Sequence, residues 1–112
     1  MMKMLIQLDE QKVKTDGIYD LADMWRIIDG KFEKACTKEV QPDGSRLYVG
    51  DTSKDYYTCI SLSYMGLSEL QWFAQYCSKW IWYDNDDDES EPFSEEDVLA
   101  RERIRNLLFA KV

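Results

Sequence analysis

Residues 67–98 read LSELQWFAQYCSKWIWYDNDDDESEPFSEEDV, an aromatic block that runs straight into an acidic one. Trp72, Phe73, Tyr76, Trp80, Trp82 and Tyr83 place six aromatic residues within twelve positions. Leu70, Phe73, Ala74, Cys77 and Ile81 recur at helical spacing, which gives one stripe a core to face. Trp72, Tyr76 and Trp80 form a second stripe beside it. Ser68 followed by Gln71 has the form of a capping box, in which each side chain satisfies a backbone donor of the first turn. The spacing therefore predicts a helix from Ser68 to Tyr83. A helix apolar over so much of its circumference needs cover on more than one side. If the far end of that cover is incomplete, Trp80, Trp82 and Tyr83 reach the surface as anchors, because aromatic rings dominate binding hot spots.

The acidic block, Asp84 to Asp97, holds nine carboxylates in fourteen residues and no base; without it the chain has 13 acidic against 14 basic residues. The net charge of −8 is thus local. Such a run repels itself and is solvated. Beyond the C-terminus of a helix it opposes the macrodipole, so it helps to end that helix.

Three chemistries suit these acids. Asp84, Asp86, Asp88 and Glu95 fall at positions 1, 3, 5 and 12 of an EF-hand-like loop between two predicted helices, which is a calcium arrangement. Against it, Glu89 stands where the sharp turn needs Gly, Glu91 stands where an apolar residue is usual, and Pro92 stiffens the loop. Alternatively the carboxylates mimic a nucleic-acid backbone and are presented to a basic groove on another protein. The plainest account is a solvating linker.

Composition bounds the rest. A chain of 112 residues, 45% apolar and 13% aromatic, has core material for one domain spanning residues 1–112 and excludes global disorder. No apolar run approaches the ~20 residues of a membrane span. Met1 to Leu8 is too short, and too soon followed by Asp9 and Glu10, for a signal peptide, so the expected location is cytoplasmic. Cys36, Cys59 and Cys77 are odd in number and lack paired spacing, which favours small core thiols in a reducing compartment over a disulfide or zinc framework. There is no histidine. That removes Ser-His and Cys-His activation, the commonest metal ligand and the commonest base near neutral pH. Carboxylates alone could still run a hydrolase, but no pair of acids is singled out.

Along the chain, Lys3 to Asp9 predicts a strand with Met4, Ile6 and Leu8 on one face. Glu10 to Thr15 is polar and reads as a connection. A helix capped by Thr15 or Asp16 follows, with Ile18, Leu21, Ala22, Trp25 and Ile28 inward and continuation to about Cys36 past a weak point at Gly30. Asp16, Asp20 and Asp23 line its opposite, solvated face. Gln41-Pro42-Asp43-Gly44 is a turn signal, since Pro presets φ and Gly releases it. Arg46 to Gly50 and Tyr56 to Met65 predict a hairpin. After an acidic loop at 84–94, Ser94 caps a C-terminal helix over 95–110, with Phe93 stapled to Val98 and a narrow stripe of Ala100, Ile104, Leu107 and Leu108. Its arginines are flanked by acids and form a solvated face, not a nucleic-acid patch.

The order β-α-β-β-α-α predicts an α+β fold, a small three-stranded, mainly antiparallel sheet with helices packed on one face. Function is expected to be non-enzymatic, without a cofactor. A basic protein surface would dock on Trp80, Trp82, Tyr83, Asp84, Asp86, Asp87, Asp88 and Glu89, the rings giving affinity and the acids steering encounter. In size and charge the chain is comparable to inhibitors, immunity proteins and accessory factors of phages and mobile elements. The alternatives are a cation module on Asp84, Asp86, Asp88 and Glu95, and a histidine-free carboxylate hydrolase. Neither direct nucleic-acid nor membrane binding is expected.

Overall fold

In the computed structural model the described residues are 2–33, 36–50, 66–67, 69–85 and 90–110, with residues 105–110 described through their backbone. Strand β1 (Met2–Leu8) alternates as read, with Met2, Met4, Ile6 and Leu8 buried and the residues between them half-buried. The polar stretch after it is a helix rather than a connection. Asp9 accepts a hydrogen bond from the Lys12 amide and opens α1 (Glu10–Asp16), which buries only Val13. Gly17, at φ 63°, closes it in the left-handed conformation that a Cβ disfavours. The second helix, α2 (Leu21–Phe32), is capped by Asp20, not by Thr15 or Asp16, and buries Met24, Trp25, Ile28 and Phe32. Ile18 is therefore exposed outside it. Gly30 lies inside α2, which ends before Cys36.

Cys36 instead opens a strand missing from the predicted order, β2 (Cys36–Val40), which forms a hairpin with β3 (Arg46–Gly50). The turn between them is the predicted one. Gly44, at φ 86°, donates its amide to the Gln41 carbonyl, and Asp43 accepts from both the amide and the hydroxyl of Ser45. Those two bonds hold the Asp43 carboxyl below its usual range. The predicted strand Tyr56 to Met65 and the Ser68 cap lie outside the described residues.

The largest correction concerns the aromatic block. Only Phe73–Tyr76 is helical (α3), and the chain then runs extended as β4 (Cys77–Asp84). Trp80-Ile81-Trp82-Tyr83 is a continuous bulky run that suits a strand with neighbours on both sides. It pairs antiparallel with β1 along Ile6↔Trp80, Leu5↔Ile81, Met4↔Trp82 and Lys3↔Tyr83. On its other side lies β5 (Ser94–Asp97), where a helix start was predicted. The last helix, α4 (Val98–Ala110), begins three residues later than expected. Asp97, rather than Ser94, caps it by accepting from the Ala100 amide at 3.0 Å. The Ser94 hydroxyl donates to the Asp84 carbonyl across the hairpin.

The result is α+β, as predicted, but the described residues form a five-stranded antiparallel sheet of order β2-β3-β1-β4-β5 in place of three strands. Met4, Ile6, Leu8 and Trp80 meet Val13, Met24, Ile28, Phe32, Phe73, Tyr76, Val98 and Leu99 in one core. Each of α1, α2, α3 and α4 thus contributes to the same side of the sheet. Phe73 meets Trp80 edge to face at 4.9 Å, and the Tyr76 hydroxyl donates to Asp16. Cys77 is a buried free thiol, as its type predicts, whereas Cys36 is disulfide-bonded, which withdraws the thiol argument for a reducing compartment. No helix among the described residues is long and apolar enough to cross a membrane.

Candidate functional site

Directly opposed residues of an antiparallel pair share a face, so the strand registers define the side of the sheet away from the helices. One row runs Thr37, Val49, Lys3, Tyr83, Glu95; the next runs Glu39, Leu47, Leu5, Ile81, Asp97. Val49, Leu47, Leu5, Ile81 and Tyr83 are only half-buried, and among the described residues no helix covers them. This face is apolar around Leu47, Leu5 and Ile81, with Lys3 beside them on the central strand, Glu39 at the β2 edge and Glu95 and Asp97 at the β5 edge.

A hollow of about 390 Å³ lies on it, lined by Lys3, Leu5, Gln41, Leu47, Tyr83 and Phe93. The Lys3 ammonium stands 4.6 Å from the centroid of the Phe93 ring, a cation–π arrangement at the rim. Phe93 is accordingly a surface ring beside Lys3 rather than a staple on Val98. Tyr83 forms the wall towards β5. Its partial burial first, and the charge of Glu95 second, hold its hydroxyl above the usual phenol range. The hydroxyl therefore stays a neutral donor and acceptor at the edge of an apolar surface.

The predicted docking residues separate under this geometry. Trp80 is corrected from surface anchor to core: it is 1% exposed and spends its indole N–H on the Met4 sulfur at 3.1 Å. Trp82 points to the helix side and packs against the core. Only Tyr83, of the three rings, belongs to the open face. Asp84 ends β4 opposite Ser94, and Asp86, Asp87, Asp88 and Glu89 lie outside the described residues. The two elements flanking the acidic loop are strands β4 and β5, so the helix–loop–helix premise of the calcium arrangement of Asp84, Asp86, Asp88 and Glu95 does not hold.

Sequence reasoning missed Leu5, Leu47 and Phe93. The signal was present: Leu5 and Leu47 are apolar where a half-covered strand should turn polar side chains to water. Comparisons with protein-family models, with curated proteins and with solved structures find no match.

Proposed function

We propose that the protein is a non-enzymatic interaction module that docks a basic protein surface on the open face of its sheet. The observation that supports this is the register, which sets the Leu5, Leu47 and Tyr83 hollow next to Glu95 on the β5 edge. An apolar side chain of the partner would fill the hollow, and a lysine or arginine beside it would meet Glu95 and the acidic 84–94 segment. Burial of the apolar part supplies affinity, while the charge accelerates and orients encounter. A groove that otherwise holds a phosphate backbone is one surface of this chemistry.

The experiment is affinity capture from the native host, with three baits: wild type, Tyr83→Ser/Glu95→Gln, and a loop variant with Asp84, Asp86, Asp87 and Asp88 changed to Asn. A specific partner should be retained by wild type, weakened by both variants and released by moderate salt. Equal recovery on wild type and the face variant, with both baits folded, would overturn the assignment of the face.

A further inference from the structure

On the helix side of the sheet a second cavity, of about 620 Å³, opens between α2 and the β2–β3 hairpin. β2 is an edge strand with Thr37 to Val40 exposed, and α2 presents the small residues Ala22 and Gly30 towards the gap. The volume is typical of small-molecule sites.

The floor is built from stacked pairs. Phe32 lies over Tyr48 at 4.0 Å between ring centroids, and the Arg46 guanidinium lies 3.9 Å from the Trp25 ring centroid. Asp29, in the wall, is already engaged: it accepts from the Tyr48 hydroxyl at 2.6 Å and from the Lys38 ammonium at 2.8 Å. The Arg46–Trp25 pair is not satisfied in this way. Arg46 donates one terminal nitrogen to the Gly44 carbonyl, but its Nε is buried without an acceptor. Trp25 is 5% exposed, and its indole Nε1 is also buried without an acceptor. Buried N–H groups left unpaired are uncommon in native proteins. Here two occur on one stacked pair that lines a cavity, whose charged lining sets Arg26, Lys38 and Arg46 against Asp29 and Glu33, a small positive excess on a strongly acidic chain.

We propose that this cavity binds a small organic oxyanion, a carboxylate or phosphate on a compact apolar body. The oxyanion would accept from Arg46 and Trp25, with Lys38 at the mouth and the body against Phe32 and Tyr48. A guanidinium prefers an oxyanion over a neutral acceptor because the hydrogen bond is charge-assisted and its planar edge offers two parallel donors. Both donors are sealed from solvent, so the Arg46 side chain has to move on the Trp25 ring to admit the oxyanion. The site lies on the opposite face from the docking surface proposed above and stands independently of it.

The test is a titration of the full, ¹⁵N-labelled chain with benzoate and with phenyl phosphate, using benzyl alcohol as the neutral counterpart and sodium chloride at matched ionic strength. The reporter is the Trp25 indole N–H resonance, assigned as the one lost in Trp25→Phe. It should shift saturably with at least one anion and not with benzyl alcohol or chloride; which anion wins identifies the oxyanion. Arg46→Lys, which keeps the charge but not the fork, should weaken binding about tenfold, as the loss of one charge-assisted bond implies. Lys38→Gln, at a solvent-exposed strand position that does not threaten folding, should weaken it as well. No saturable shift with either anion, an equal response to benzyl alcohol or chloride, or unchanged affinity in folded Lys38→Gln protein would overturn the assignment.

Discussion

Trp80 and Ile81 are neighbours whose roles exchange with the secondary structure of residues 77–84. On a helix from Ser68, Ile81 belongs to the core stripe and Trp80 to the flank. On β4 the reverse holds, with Trp80 paired to Ile6 on the helix side and Ile81 paired to Leu5 on the open face. Trp80→Ala removes a ring that is 1% exposed, contacts Phe73 edge to face and bonds Met4. Phe73 and Met4 cannot follow the loss without disturbing α3 and β1, so a cavity remains and the cost is about 3–5 kcal/mol. Ile81→Thr keeps a β-branched residue that favours a strand and exchanges a half-buried ethyl group for a hydroxyl, two half-exposed carbons at a cost of less than about 1 kcal/mol. At a urea m-value of roughly 2 kcal/mol/M, the first change lowers the midpoint by roughly 2 M and the second by less than about 0.5 M. The assay is urea unfolding followed by far-UV circular dichroism, which does not depend on the tryptophan removed. A cost for Ile81→Thr equal to or above that of Trp80→Ala would refute the strand and with it the open face.

Three further outcomes follow from local geometry. Asp97→Ala should cost about 1 kcal/mol by uncapping α4, whereas Ser94→Ala should cost clearly less; equal costs in urea melts would place the cap wrongly. Gly17→Ala should destabilise by about 1 kcal/mol because its φ is 63°, while Gly30→Ala, inside α2 with open space around an added Cβ, should stabilise by up to about 1 kcal/mol; thermal melts of the pair decide it. Burial pushes the Cys77 thiol from 9.0 up to about 12, so above pH 9 the unfolded chain releases a proton that the folded one keeps. This contribution is full below pH 9 and falls by about 1.4 kcal/mol per pH unit towards 12; Cys77→Ala should flatten stability against pH by one proton in that window, and an unchanged slope would refute it.

What was legible in the sequence is what one period or one turn specifies. The alternation of β1, the Pro42-Asp43-Gly44 turn, the β3 strand and the buried pair Trp25 and Ile28 needed no tertiary information. The β4 assignment failed because residues 72–83 are apolar at so many positions that both periods fit. Only the partners on either side choose between them, and one of those, β5, has the sequence Ser-Glu-Glu-Asp of a helix start. β2 carries no apolar alternation because it is an edge strand exposed along most of its length. The open face could not be found before the sheet, since Leu5 and Tyr83 are 78 positions apart and meet only through the β1–β4 register. The unsatisfied Arg46–Trp25 pair is equally a property of tertiary packing.

A sheet face with apolar side chains around its middle ought to stack or extend onto another copy of itself, and among the described residues β5 is an edge strand on which to begin. Its composition opposes that step. Glu95, Glu96 and Asp97 occupy three of its four positions, so antiparallel pairing of two β5 edges sets carboxylates against carboxylates, which is destabilising at close cross-strand range. Glu96 is partly neutralised by Arg101, and Asp97 is committed to capping α4, which leaves Glu95 as the open-face charge. The same charge that repels a second copy would attract the basic surface proposed as partner, so specificity in that reading rests on exclusion as much as on contact. Glu95→Gln/Glu96→Gln removes the repulsion and leaves both the cap and the hollow intact. The variant should self-associate with rising concentration at low ionic strength, where wild type does not, as read by sedimentation velocity. Wild type should approach the variant's behaviour as salt screens its edge. Identical sedimentation of the two proteins across that range would show that the acids do not guard the edge, and would leave the bare face without its stated reason for favouring a basic partner over its own copy.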